Sequence, residues 1–148
     1  MTRKKLCVMA GICAVFAAGY VLGRGAAATR VEASPRAAER VFEMRTYTTH
    51  EGKLEALNAR FRNHTTRLFE RHGMTNVGYW VPEEAPLREN TLIYIIAHAS
   101  REAAQKSWQA FSNDAEWQKA KAESEAGGKI VSKVESVFMR ATDYSLIK

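Results

Sequence analysis

Residues 75–99 read TNVGYWVPEEAPLRENTLIYIIAHA, and this stretch decides the fold. Thr75 to Val81 predicts a strand, in which Val77, Tyr79 and Val81 alternate with Asn76, Gly78 and Trp80. Pro82 to Asn90 contains two prolines, which cannot donate to a strand ladder, and predicts a loop. Thr91 to Ala99 predicts a second strand, with Ile93, Ile95 and Ala97 opposite Leu92, Tyr94, Ile96 and His98. Two strands therefore follow each other with no helix between them.

Working outward, each strand is flanked by a helical pattern and then by another strand. Upstream, Leu54, Leu57, Phe61, His64 and Leu68 recur at helical spacing from Lys53 to His72, and Gly73 supplies the C′ residue. Val41 to Tyr47 precedes that helix as a strand, with Phe42, Met44 and Thr46 on one face and Glu43, Arg45 and Tyr47 on the other. Thr48 to Gly52 is the turn between them. Downstream, Ser100 is the expected N-cap of a helix carrying Ala104, Trp108 and Phe111 on one side. Asn113, with Glu116 three residues on, predicts a second capped helix running to Gly127-Gly128. Ser132 to Ala141 is the last strand, Val137 and Met139 opposite Ser136, Phe138 and Arg140.

The order β-α-β-β-α-β is that of the α+β, ferredoxin-like fold: a four-stranded antiparallel sheet with the helices on one face. Each strand has one more apolar face, expected to lie under the helices. The other carries Glu43, Arg45, Tyr47, Trp80, Tyr94, His98 and Arg140, too polar for a dry core and too aromatic for open solvent. That face is expected to point away from the helices. Two copies meeting there would form a dimeric α/β barrel around a lined cavity, so these seven residues are the ligand-pocket candidates. The homodimer contact is expected through Glu43, Arg45, Tyr47 and Tyr94.

The chain has 148 residues and a net charge of +6, from 22 basic and 16 acidic side chains. Arg3, Lys4, Lys5 and Arg24 stand in the first 28 residues with no acidic partner; without them the balance is 18 against 16. A nearly neutral domain lacks the basic patch that neutralises phosphates, so nucleic acid is not an expected partner. The excess belongs to a targeting segment. Residues 2–5 form a positive n-region, Leu6 to Gly23 runs without a charge, and Ala26-Ala27-Ala28 offers a small-residue cleavage site.

Residues 1–28 are thus expected to export the domain, as a signal peptide or a membrane anchor. The product is periplasmic or secreted if cleaved after Ala28; otherwise residues 6–23 anchor it, the chain's single expected contact with a membrane. Residues 29–40 mix Ala, Ser, Pro and alternating charges and read as a linker, leaving 41–148 as the folded domain. Both cysteines, Cys7 and Cys13, lie in the export segment. The domain has therefore no disulfide, thiol nucleophile or thiolate metal site, and an exported domain without disulfides has to be held by its core or by a partner subunit.

Several stretches resemble one family. VFEMRTY (Val41–Tyr47), HGMTNVGYW (His72–Trp80), the run from Ser100 to Ser124 and VESVFMRATDYS near the C-terminus are similar to NIPSNAP proteins, over Val41 to Ser145. The resemblance implies the dimeric α/β-barrel form of the ferredoxin-like fold, and no settled biochemical activity. One departure is Ala115, where similar sequences often carry Pro in a DPEW motif.

Catalytic signatures are absent from the sequence. There is no G-x-S-x-G and no phosphate-binding Gly-rich loop; His50-Glu51 is followed by Leu54 where a zinc motif needs His. Asn63-His64-Thr65 matches a glycosylation sequon but falls inside a predicted helix. His50 and His72 read as solvated helix-end residues and His64 as a hydrogen-bonded core histidine. His98 and Glu43 do not make a metal set, and no metal or cofactor is expected. Trp108 and Trp117 read as packing residues. Arg45 and Glu43, two apart on one strand face, read first as a partly buried ion pair and second as a cation awaiting a ligand carboxylate. The reading is an exported, homodimeric binding module for a small apolar or carboxylate ligand or a protein. The alternative is a cofactor-independent enzyme, monooxygenase- or isomerase-like, acting on a small hydrophobic substrate.

Overall fold

A computed structural model describes residues 40–148; the export segment and all but the last residue of the linker lie outside the described residues. Among the described residues no helix is long and apolar enough to cross a membrane.

The chain runs β1 (Val41–Thr49), α1 (Leu54–Arg60), a π-helical turn (Phe61–Thr65), α2 (Thr66–Arg71), β2 (Thr75–Trp80), a short 3-10 turn (Leu87–Glu89), β3 (Thr91–His98), α3 (Arg101–Ser112), α4 (Ala115–Ser124) and β4 (Val131–Arg140). The four strands form one antiparallel sheet in the order β2-β3-β1-β4. This is the ferredoxin-like α+β arrangement expected from the alternation of patterns.

Local chemistry explains the breaks. Gly73 ends α2 at a φ of 77°, a conformation glycine adopts without steric cost. Ser100 caps α3, its Oγ accepting from the Ala103 amide at 3.1 Å. The α4 cap is Asp114, not Asn113 as expected: Asp114 Oδ1 accepts from the amides of Glu116 and Trp117. Ala115 is the first helical residue, the position at which proline is most at home.

The expected assignment of sheet faces is reversed. Tyr94 and Tyr47 pack on Phe61, with ring centroids 5.2 and 5.9 Å apart, and Phe69 lies 5.9 Å from Tyr94. The face bearing Glu43, Arg45, Tyr47, Tyr94 and His98 therefore lies beneath the helices, not away from them. Its core includes Leu57, Phe61, Leu68, Phe69, Leu92, Tyr94, Ile96, Phe111 and Ile130. The more apolar face is the one on which no helix packs among the described residues. There Met44 registers with Ile95 and Val137, Phe42 with Ala97 and Met139, and Thr46 with Ile93. The C-terminal residues Ser145 and Ile147 bound, with Phe42, Val77, Ile95 and Met139, a cavity of about 310 Å³ at one end of this face. Val137 and Trp80 remain half exposed on it.

Trp80 does lie away from the helices as expected, but not on the face of Glu43 with which the alternation groups it. A bulge interrupts the β2–β3 register between Asn76 and Gly78, so simple alternation fails there. Asn76 donates to the Thr66 carbonyl and accepts from the Tyr79 hydroxyl, which sets Asn76 and Tyr79 on the helix side. Gly78 and Trp80 fall on the other. The indole lies over Gly78 so closely that a Cβ there would sit 2.5 Å from the ring.

Two histidines also differ from expectation. His72 is not a solvated end residue: its Nε2 lies 2.7 Å from Asp114 Oδ2, in a cluster with Arg71, Arg67 and Glu116. Arg71 and then His72 hold the Asp114 carboxyl well below the usual carboxylate range. His64 does not belong to the core, because the π turn rotates it outward and buries Thr65 instead.

Candidate functional site

Glu43 is the centre of the helix-facing side. It is a strand residue, 1% exposed, and its carboxylate accepts four hydrogen bonds. Oε1 receives Arg45 Nη1 at 2.7 Å and Ser136 Oγ at 2.6 Å. Oε2 receives Trp108 Nε1 at 2.7 Å and lies 3.1 Å from His98 Nε2. Burial works against the charged form, but the bonds from His98, Ser136, Trp108 and Arg45 outweigh it and bring the Glu43 pKa from 4.5 down to about 2. A carboxylate this well satisfied stays ionised and is a poor proton acceptor at neutral pH.

Four elements converge to build this. Strand β1 supplies Glu43 and Arg45 two apart on one face, β3 supplies His98, and β4 supplies Ser136, which registers with Arg45. Helix α3 lays Trp108 across them. The Arg45 guanidinium is 4.3 Å from the Trp108 ring and 5.6 Å from that of Tyr47. Two buried atoms in this neighbourhood make no well-formed hydrogen bond, His98 Nδ1 and Arg45 Nε. Tyr94 lies deeper still, and burial pushes its hydroxyl well above the ordinary tyrosine value.

Beside the network, a cleft of about 510 Å³ opens between α3 and the β1–β4 side of the sheet. Glu43, Arg45, Ser136 and Phe138 form its sheet wall, and Arg101, Glu102, Gln105 and Trp108 its helix wall. Arg101 lies with its guanidinium 3.5 Å from the centre of the Phe138 ring. The cleft is open because, among the described residues, the helices lie over β2, β3 and β1 and leave the edge strand β4 largely exposed. Among the described residues no group of three or more His, Cys, Asp or Glu is arranged to hold a metal.

The family model for NIPSNAP matches residues 42–146, which covers both walls of the cleft and the whole Glu43 network. The chain belongs to the NIPSNAP family. Comparison with curated proteins finds no match. Among solved structures, a NIPSNAP family protein of unknown function from Agrobacterium tumefaciens is similar at a TM-score of 0.65 and 19% identity, over 75% of this chain and 96% of that one. A NIPSNAP-like domain protein from Burkholderia xenovorans follows at 0.63 and 13%, over 73% and 90%. A monooxygenase from Streptomyces coelicolor, solved in complex with nanaomycin D, is similar at 0.53 and 11%, over 75% and 95%. At these identities the likeness is one of fold.

Within this NIPSNAP domain the seven candidates divide. Glu43, Arg45 and His98 share the network, with Tyr47 beside Arg45 and Tyr94 beneath. Trp80 is on the opposite face, and Arg140 lines the cavity under the C-terminal residues. Ser136, Phe138, Arg101, Gln105 and the indole bond of Trp108 were missed. One signal was available: a tryptophan on a packed helix face needs an acceptor for its N–H, and a strand glutamate is the obvious one.

Proposed function

We propose that this NIPSNAP domain is a homodimeric binding module, in which each copy receives a small molecule in the cleft between α3 and β4. The cleft carries the reading: it combines two aromatic surfaces with a few fixed polar groups, in a volume typical of ligand sites. Dimerisation is supported by the helix-free sheet face. Met44, Ile93, Ile95, Val137 and Met139 form an apolar surface continuous across β3, β1 and β4, which two copies would cover face to face as a dimeric α/β barrel. The contact proposed here uses the opposite face from the one expected from composition. Residues 1–28 export the module, to the periplasm or beyond if cut after Ala28 and otherwise held by residues 6–23.

A cofactor-independent enzyme is the competing reading. It requires a proton acceptor facing the cleft; Glu43, with its pKa at about 2, is ill suited to that task, and the His98 side chain is fully buried. Binding is therefore the better account of these residues.

Two measurements test the proposal. Sedimentation of the full-length protein at micromolar concentration is expected to give a dimer, and a stable monomer would overturn the association. Native mass spectrometry of protein purified from its own host is expected to find a small molecule retained by the wild type and lost from Gln105→Trp, which fills the cleft from an exposed helix position. Equal retention by both proteins would overturn the cleft as its site.

A further inference from the structure

We infer that Arg101, not Arg45, is the anion-holding residue of the cleft, and that the ligand class is a planar aromatic carboxylate. The inference rests on the cleft being a small-molecule site. Arg45 sits at the floor with its Nη1 committed to Glu43 and its Nε buried. Its charge is matched by a carboxylate 2.7 Å away, so little of it is left for a ligand. Arg101 is placed differently. No carboxylate among the described residues is in ion-pair contact with it, although the charge of neighbouring Glu102 on the same wall acts on it, and its guanidinium carbon lies 3.5 Å from the centre of the Phe138 ring.

Stacking holds that guanidinium flat and leaves its N–H edges for a carboxylate, the geometry in which arginine binds a planar anion through two parallel hydrogen bonds. The helix N-terminus beside it does not compete. Ser100 Oγ takes the Ala103 amide, and hydrogen bonding at its own backbone and Ser100, with the charges of Arg101 and Lys106, holds the Glu102 carboxyl below its usual value. Nor does Glu43 repel the anion strongly, because its four donors already surround its charge.

The body of the ligand is set by the remaining walls. Trp108 and Phe138 stand on the two walls, each with a guanidinium against its ring, Arg45 at 4.3 Å and Arg101 at 3.5 Å, and Gln105 and Ser136 add neutral polar groups. A flat aromatic body stacks on a guanidinium face as it does on a ring, which rewards an aromatic ring over a flexible chain. Inorganic phosphate, lacking such a body, has only Arg101 to bind.

Calorimetric titration of the full-length protein with 2-naphthoate, 2-naphthamide, hexanoate and inorganic phosphate tests this. Naphthoate is expected to bind roughly ten- to a hundredfold more tightly than naphthamide, the range of a charge-assisted hydrogen bond. Arg101→Gln should erase that preference, and Arg101→Lys, which keeps the charge but loses the planar fork, should lie between. Because Arg101 is exposed, both variants should keep the wild-type circular dichroism. Equal affinity for naphthoate and naphthamide would overturn the anion assignment and leave the cleft standing as a neutral site. A preference that survives Arg101→Gln would overturn the choice of residue. Equal affinity for hexanoate and naphthoate would overturn the aromatic class. Binding of none of the four probes would overturn the inference together with the cleft reading.

Discussion

The two faces of one sheet handle polarity in opposite ways. Beneath the helices lie a glutamate, an arginine, a histidine and two tyrosines; on the helix-free side lie methionine, isoleucine and valine. A rule that sends the apolar face inward gets both wrong. The buried polar groups are tolerated because they satisfy one another: a single carboxylate accepts four donors drawn from β1, β3, β4 and α3. The apolar face needs no helix if a second copy supplies its cover. Burial in this domain thus follows complementarity of partners more closely than hydrophobicity of residues.

The contrast can be broken most sharply at Glu43. Glu43→Ala leaves Arg45, His98, Trp108 and Ser136 without their shared acceptor inside the fold. It should cost about 3–5 kcal/mol, read from the denaturant midpoint. A loss below about 1 kcal/mol would mean that the network contributes little.

Acid probes the same group without mutation. The Glu43 carboxyl lies at about 2 in the folded chain against 4.5 when free, so its stabilisation is complete above pH 4.5 and is lost as pH falls through 2. The loss amounts to about 3 kcal/mol for a shift of this size. Wild type should lose stability between pH 4.5 and 2 in equilibrium melts, and Glu43→Gln should lose less by about this amount, the remaining slope belonging to Asp114 and the other carboxylates whose pKa values are lowered.

Arg45→Ala removes one donor of four and the cation over Trp108, and should cost about 1–3 kcal/mol in thermal melts without ligand. An unchanged or raised melting temperature would identify Arg45 as a cation held in reserve for a ligand rather than a partner of Glu43.

The opposite face should respond least in stability and most in assembly. Val137 is 50% exposed on β4, so Val137→Asp should change the stability of the monomer by under about 1 kcal/mol. Sedimentation should nevertheless show the dimer weakened by roughly tenfold or more, as expected for a charge placed in an apolar interface. Unchanged association would remove this face from the contact.

The strands and helices were legible because each has its own hydrophobic period, and their order led to the fold. Which face each strand turns inward was not. Alternation defines two faces but carries no sign, and the sign here depends on Trp108, sixty-five residues from Glu43 along the chain. Trp80 parts from Glu43 for a local reason: one extra residue in β2 changes the phase, and nothing in TNVGYW marks the bulge apart from Gly78. Asn113 and Asp114 are both good caps, and composition could not choose between them. Arg101 and Phe138 became a pair only once β4 was placed beside β1.

The π turn at Phe61–Thr65 has a consequence for chain length. The hydroxyls of Thr65 and Thr66 bond the carbonyls of Arg60 and Phe61, five residues back, and the Thr66 amide reaches the same Phe61 carbonyl, the spacing of a widened turn. In a regular α-helix the loss of one residue swings everything beyond it by about 100° and scrambles the buried stripe. This helix already carries the reverse change, one residue more than its pitch requires, held among the exposed Arg62 and Asn63. Removing either would restore the regular pitch while Phe61 and Phe69 still pointed inward together. The core has in effect absorbed an insertion, and Arg62 and Asn63 are where this helix can lose one residue without altering what it buries.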